Sequence, residues 1–235
     1  MARMSPDERR AAIVDAALAV MQRRGIAATT VRDVAAEMGT SSGLVHHYYA
    51  SMDDLLADAF QRAAGDDLRS TRAALTAADP VGRLSEFLAS YSRGDDDTTM
   101  QLWLDAWADA VRRPALQQTS RRLNEDWHAL LVELIDEGVT DGSMTCDDPN
   151  AAAWRLLSML DGLALQGVAH RGAISPRDAD TWARRAAELE LRLERGRLDA
   201  APLVPTATRR TAEPEASPRM LTTSRRSSPA ARRSS

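Results

Sequence analysis

Residues 30–49 read TVRDVAAEMGTSSGLVHHYY, and this stretch narrows the fold more than any other. Helical spacing starts at Val31, is cut by Gly39 and resumes near Ser42. Neither half is long enough to persist as an isolated helix in water, so each must pack on the other and on a neighbour. Ala35 falls where the two would cross, and its small side chain lets the backbones approach. Gly39 follows four residues on, where the chain leaves the first helix and a left-handed conformation suits glycine best. Val34, Met38, Val45 and Tyr48 are spaced to close a small core, and Ser41 stands where it can cap the second helix. This is the helix-turn-helix pattern, whose second helix enters the major groove in proteins that read DNA. An ordinary helical hairpin has the same spacing, so the pattern alone leaves both readings open.

The rest of the chain also reads as helix. Ala, Leu, Arg, Glu and Asp dominate, and strand-forming runs are scarce. Helix starts are marked by capping residues: Ser5-Pro6 with Glu8, Thr30 with Asp33, Ser51 with Asp54. Asp79, Asp148 and Ser175 each precede a proline, which suits a first helical turn. Apolar periodicity between these marks predicts about nine helices and an all-α fold. The segment TTMQLWLDAWADAVRR is apolar on most sides and is expected to be central. Residues 114–138, 149–171 and 176–195 are expected to form the last three helices.

Three parts are expected: a helix-turn-helix domain over 1–50, a larger helical domain over 51–196, and a tail over 197–235. The tail is rich in Arg, Ser and Pro and is expected to be disordered. It carries 8 Arg against 3 acids, whereas the remainder has a net charge of −9 and the whole chain −4. An acidic body does not resemble a general nucleic-acid binder, so any contact with DNA must be local. The single Cys146 excludes an internal disulfide and fits a reducing cytoplasm. MARMSPDERR lacks the apolar core of a secretory signal, and no apolar run is long enough to span a bilayer. No phosphate loop, nucleophile elbow or metal-ligand spacing stands out, so neither an enzyme nor a cofactor is expected. Cys146 sits among acids that disfavour a thiolate.

RRAAIVDAALAVMQRRGIAATTVRDVAAEMGTSSGLVHHYYASMDDLLADAF resembles the N-terminal domain of the TetR (tetracycline repressor) family of bacterial transcription regulators. LWLDAWADAVRRPAL and DDPNAAAWRLLSMLDGLALQ resemble the C-terminal domain of the subgroup that includes the choline-responsive betaine-pathway repressor. Together they cover roughly residues 8–190. The resemblance implies an all-α homodimer that binds a palindromic operator in double-stranded DNA and is released by a small-molecule effector. It places the DNA contacts at Thr30, Arg32, Ser42, Gly43, Leu44, His46, His47 and Tyr48. Two positions depart from the family habit: Met52 replaces a common basic residue at the start of the fourth helix, and Tyr48 a common His. The loss of a phosphate contact at Met52 leaves an alternative, a helical protein-interaction module with weakened DNA binding.

Trp103 and Trp107 lie four apart on one helical face, with Asp105 and Asp109 on nearly the opposite one. The resemblance brings Trp127, His128, Met159 and Gln166 near them, as a candidate effector pocket. Trp faces beside a carboxylate could hold an organic cation, although tryptophans at this spacing also serve as plain core. His46 and His47 are adjacent on a helix and point about 100° apart, which argues against a shared metal ion. WRLLSMLDGLALQG and WARRAAELELRLERG, with Trp182, Ala186, Leu189 and Leu193 along a seam, are expected to pair with their copies as a four-helix bundle.

Overall fold

The computed structural model of the chain describes residues 4–92 and 97–199. Nine helices and no strand occur among them: α1 (Pro6–Arg24), α2 (Val31–Glu37), α3 (Ser42–Tyr48), α4 (Met52–Ala74), α5 (Pro80–Ser92), α6 (Asp97–Ala110), α7 (Pro114–Thr140), α8 (Pro149–Ala169) and α9 (Pro176–Glu190). The expected all-α architecture is the observed one.

The capping residues set these boundaries. Ser5 and Glu8 form a reciprocal capping box on α1, as Thr30 and Asp33 do on α2. Ser51, Asp148 and Ser175 each accept a backbone N–H three residues on. Ser41 differs from expectation: it occupies the N-cap of α3 but makes no side-chain cap hydrogen bond. Gly39 has φ of 63°, the left-handed turn that returns the chain onto α2, and the Thr40 N–H donates to the Ala35 carbonyl at 2.9 Å.

Packing makes α7, rather than α6, the central helix. α7 lies against α4, α5, α6 and α8, and buries Leu123, Leu130, Leu131 and Ile135. α6 is amphipathic instead. It buries Leu102, Trp103 and Ala106 and leaves Gln101 and Ala108 exposed. Its neighbours are α7 and α8 on one side and α1 and α4 on another. α4 starts directly after the α2–α3 unit, packs on α1, and continues along α7. No chain break separates the head from the larger bundle.

α9 ends at Glu190, five residues before the predicted end at 195. Arg192 turns left-handed at φ of 53°, and the Glu188 carbonyl accepts the Leu193 N–H. The chain then folds back, and Leu198 is completely buried. Two buried charges on α9 hold it. Arg184 donates to the Leu198 carbonyl at 2.6 Å and to Ser85 Oγ at 2.7 Å. Glu188 accepts the backbone N–H groups of Gly196 and Leu198. Packed structure thus extends beyond 196, at least to Asp199. The remainder of the expected disordered tail lies outside the described residues.

Candidate DNA interface and effector cavity

The head is built so that α3 is held on one side and open on the other. Arg23 pairs with Glu37 and Arg24 with Asp33, locking the end of α1 to α2. Tyr49, just past α3, is buried. Its hydroxyl donates to Asp58 at 2.8 Å, and Arg10 lies 4.3 Å above its ring while pairing with the same carboxylate. Burial and Asp58 hold the Tyr49 phenol in its neutral form. With Val34, Ala35 and Val45 buried beneath it, α3 is fixed in position.

On the open side, Thr30, Arg32, Gly43, His46 and His47 are exposed, and Ser42, Leu44 and Tyr48 are half-buried. Thr30, Val31, Arg32, Ser42 and His46 line one shallow concavity between α2 and α3. Arg32 has no ion-pair partner among the described residues, whereas Arg23 and Arg24 are both engaged. The His47 and Tyr48 rings meet edge-on at 5.2 Å. A Cβ at Gly43 would meet only Ser41 Oγ, at 3.7 Å, so the head's own packing does not require glycine there. Met52 is half-buried at the first position of α4 and packs against the core.

The second site is a cavity of about 580 Å³ bounded by α4 to α9. Its aromatic wall is Tyr91 from α5, Trp103 and Trp107 from α6, and Trp127 from α7. Tyr91 and Trp127 are 5.9 Å apart between ring centroids, and Trp103 and Trp107 are 5.6 Å apart. Trp103 also backs edge-on onto Phe60 at 4.9 Å. The Trp127 indole N–H is buried and has no hydrogen-bond partner among the described residues.

Asp161 lines the same cavity from α8, where it is the one acidic residue, and is near enough to Tyr91 to act on its phenol. It forms no hydrogen bond or ion pair among the described residues. Burial alone pushes its carboxyl up to about 6. The Tyr91 phenol is pushed well above its ordinary value by burial first, then by Asp161 and Asp67. Asp67 and Arg171 also border the cavity, and each already has an interaction partner.

Of the six residues expected in an effector pocket, Trp103, Trp107 and Trp127 line this cavity. His128, Met159 and Gln166 do not. His128 turns to the far side of α7, stacks on Trp154 at 4.1 Å, and bonds through Nε2 to the Asn150 carbonyl. Met159 and Gln166 lie opposite the arc of Leu157, Leu160, Asp161, Ala164 and Val168 that α8 presents to the cavity. Asp105 and Asp109 also face elsewhere. Asp105 accepts from Gln101 and reaches within 3.1 Å of where a Cβ on Gly25 would stand, and Asp109 pairs with Arg112 and Arg113. Sequence reasoning passed over Asp161, although a lone acid inside SMLDGLAL is a visible signal. Among the described residues no cluster of His, Cys, Asp or Glu is placed to hold a metal, and no helix is long and apolar enough to cross a membrane.

A family model for bacterial regulatory proteins of the tetR family matches residues 13–59, and one for the C-terminal part of BetI-type transcriptional repressors matches residues 80–192. The HTH-type transcriptional regulator BetI of Paraburkholderia xenovorans is 32% identical over 179 residues, covering 74% of this chain and 87% of that one. The chain belongs to the tetR family. The TetR fold extends to solved structures. A TetR transcription regulator from Haloarcula marismortui matches with a TM-score of 0.71 at 24% identity, covering 79% of this chain and 99% of that one. The multidrug binding protein EbrR complexed with proflavin matches with a TM-score of 0.59 at 30% identity, covering 76% and 99%. A protein of Saccharomonospora viridis in complex with choline matches with a TM-score of 0.69 at 24% identity, covering 77% and 96%. This TetR chain is therefore a DNA-binding transcriptional regulator, not an enzyme, with α2 and α3 as its helix-turn-helix.

Proposed function

We propose that the protein is a homodimeric repressor that holds a palindromic operator through α3 of each copy and releases it when an organic cation enters the cavity. The observation that carries the effector class is Asp161, a carboxylate desolvated in the cavity that Tyr91 and the indoles also line, with no ion-pair partner among the described residues. A charge so placed is costly until a partner arrives, and tryptophan faces attract cations. The unpartnered Trp127 N–H suits an oxygen on the same ligand. The choline complex of the S. viridis neighbour agrees with this class.

On the DNA side, Arg32, Ser42, His46 and His47 are the candidates for base and phosphate contacts, with Thr30, Gly43, Leu44 and Tyr48 around them. Gly43 would let the start of α3 approach the duplex closely. Residues 1–50 act as the reading head and 51–196 as the effector and dimer region, in the cytoplasm where the operator lies. Pairing is assigned to α8 and α9, where Trp154, Leu165, Trp182 and Leu189 leave large apolar area exposed. An isologous pair would set two heads about 34–36 Å apart, or a multiple of that, on the duplex.

Selection of random duplexes by the full chain, followed by titration of the enriched duplex with choline and with acetate, tests the reading. An enriched palindrome released by the cation and not by acetate is the expected result. A folded protein that enriches nothing would favour the interaction-module reading suggested by Met52.

A further inference from the structure

The cavity is too long for a small cation to fill. On α8 alone its lining runs from Leu157 to Val168. At about 1.5 Å per residue that is roughly 16 Å of wall. The start of α9, from Ser175 to Ala183, packs alongside α8 and contributes a further wall. The volume of about 580 Å³ falls among pockets that enclose drug-sized molecules. A trimethylammonium head with a two-carbon arm covers only the part beside Asp161.

The chemistry of the wall changes along its length. The indoles, Tyr91 and Asp161 come from α5 to α8. The stretch toward α9 is mainly hydrocarbon, Leu163, Ala164, Val168, Ile174, Pro176 and Ala179, with Ser175 among them. Arg171 borders this stretch and is already engaged by another group. One part of the cavity therefore asks for a cation, and the other for an apolar chain excluded from water.

We propose that the effector is an amphiphilic organic cation, with an ammonium head beside Asp161 and a hydrocarbon arm, longer than that of choline, laid along α8 toward the α8–α9 turn. This rests on the organic-cation reading above and narrows it.

The test is binding of alkyltrimethylammonium ions of increasing chain length, from methyl to octyl, to the full chain below their micelle concentrations. Tryptophan fluorescence and calorimetry report binding, with choline and octyl sulfate as comparisons. The affinity should rise by up to about fourfold per added methylene, the value of one buried CH₂. Asp161→Asn should weaken every cation and leave that slope intact. Ala164→Phe, which shortens the channel, should lower the chain length at which the gain stops. Equal affinity for choline and the octyl cation would overturn the long-arm proposal and leave the cation reading standing. Octyl sulfate binding as tightly as the octyl cation would overturn both, as would no binding by any member of the series.

Discussion

Asp53, the second residue of α4, accepts a hydrogen bond at 3.0 Å from the backbone N–H of Ala115, in the first turn of α7. The bond joins the helix that follows α3 to the helix that follows α6, which carries Trp103 and Trp107. Its loss should be felt in two ways. Asp53→Ala should cost about 0.5–2 kcal/mol, the range for a lost helix cap. It should also blunt the fall in operator affinity on effector binding, with the effector Kd little changed. Fluorescence anisotropy of labelled operator, with and without effector, reads this. A folded Asp53→Ala protein with a full response would show that the bond transmits nothing.

Asp161 should make effector binding depend on pH. Its carboxyl is raised to about 6, so it is largely neutral at pH 5 and ionised at pH 7. A permanent cation favours the ionised form, so affinity should climb from pH 5 to 7, by at most about tenfold per unit, and then level off. The Tyr91 phenol stays neutral across this window. Stability of the empty protein runs the opposite way. The stabilisation linked to this proton is complete below about 3.8 and is lost as pH rises through about 6. Calorimetry on the wild type and Asp161→Asn should show the binding profile flattened in the variant.

The two tryptophans of α6 should separate under substitution. Trp107 is half-buried at the cavity, whereas Trp103 is buried and braced on Phe60. Trp107→Ala should weaken cation binding by about 2- to 30-fold, the range of one cation–π contact. Trp103→Ala should in addition lower stability by about 3–5 kcal/mol. Thermal melts beside titrations distinguish them; equal loss of stability in both would contradict the assignment.

Met52→Lys should restore a phosphate contact at the start of α4. The slope of log affinity against log salt should steepen by about 0.9 for each added phosphate, hence by about 1.8 for a dimer with one new contact per copy. An unchanged slope would place position 52 away from the DNA backbone.

Trp182 and Leu189 are 51% and 64% exposed on one face of α9. Replacing both by Arg should yield a folded monomer in sedimentation that no longer binds a palindrome tightly. A dimer that survives would move the interface elsewhere.

The helix boundaries were legible because capping residues act locally: Ser5, Thr30, Asp148 and Ser175 each meet a backbone N–H within their own first turn. The turn at Gly39 was legible for the same reason. The rotation of each helix about its axis was not. Nothing local tells whether α8 turns Asp161 or Met159 toward the indoles, because both arcs are apolar enough to pack. The end of α9 was misplaced because Glu188 and Arg184 are committed to backbone groups of residues 196–198, contacts that side-chain periodicity does not encode.

α6 presents Trp103 to the cavity while, two residues on, Asp105 lies against Gly25 at the end of α1. A lineage of such regulators acquiring a new inducer would meet this helix as an obstacle. Any substitution there that reshapes the pocket also disturbs the seat of the reading head. Leu163, Ala164, Val168 and Ala179 have no such second duty toward the head. Divergence in inducer preference should therefore accumulate along α8 and α9, while α6 changes slowly and operator recognition is inherited intact.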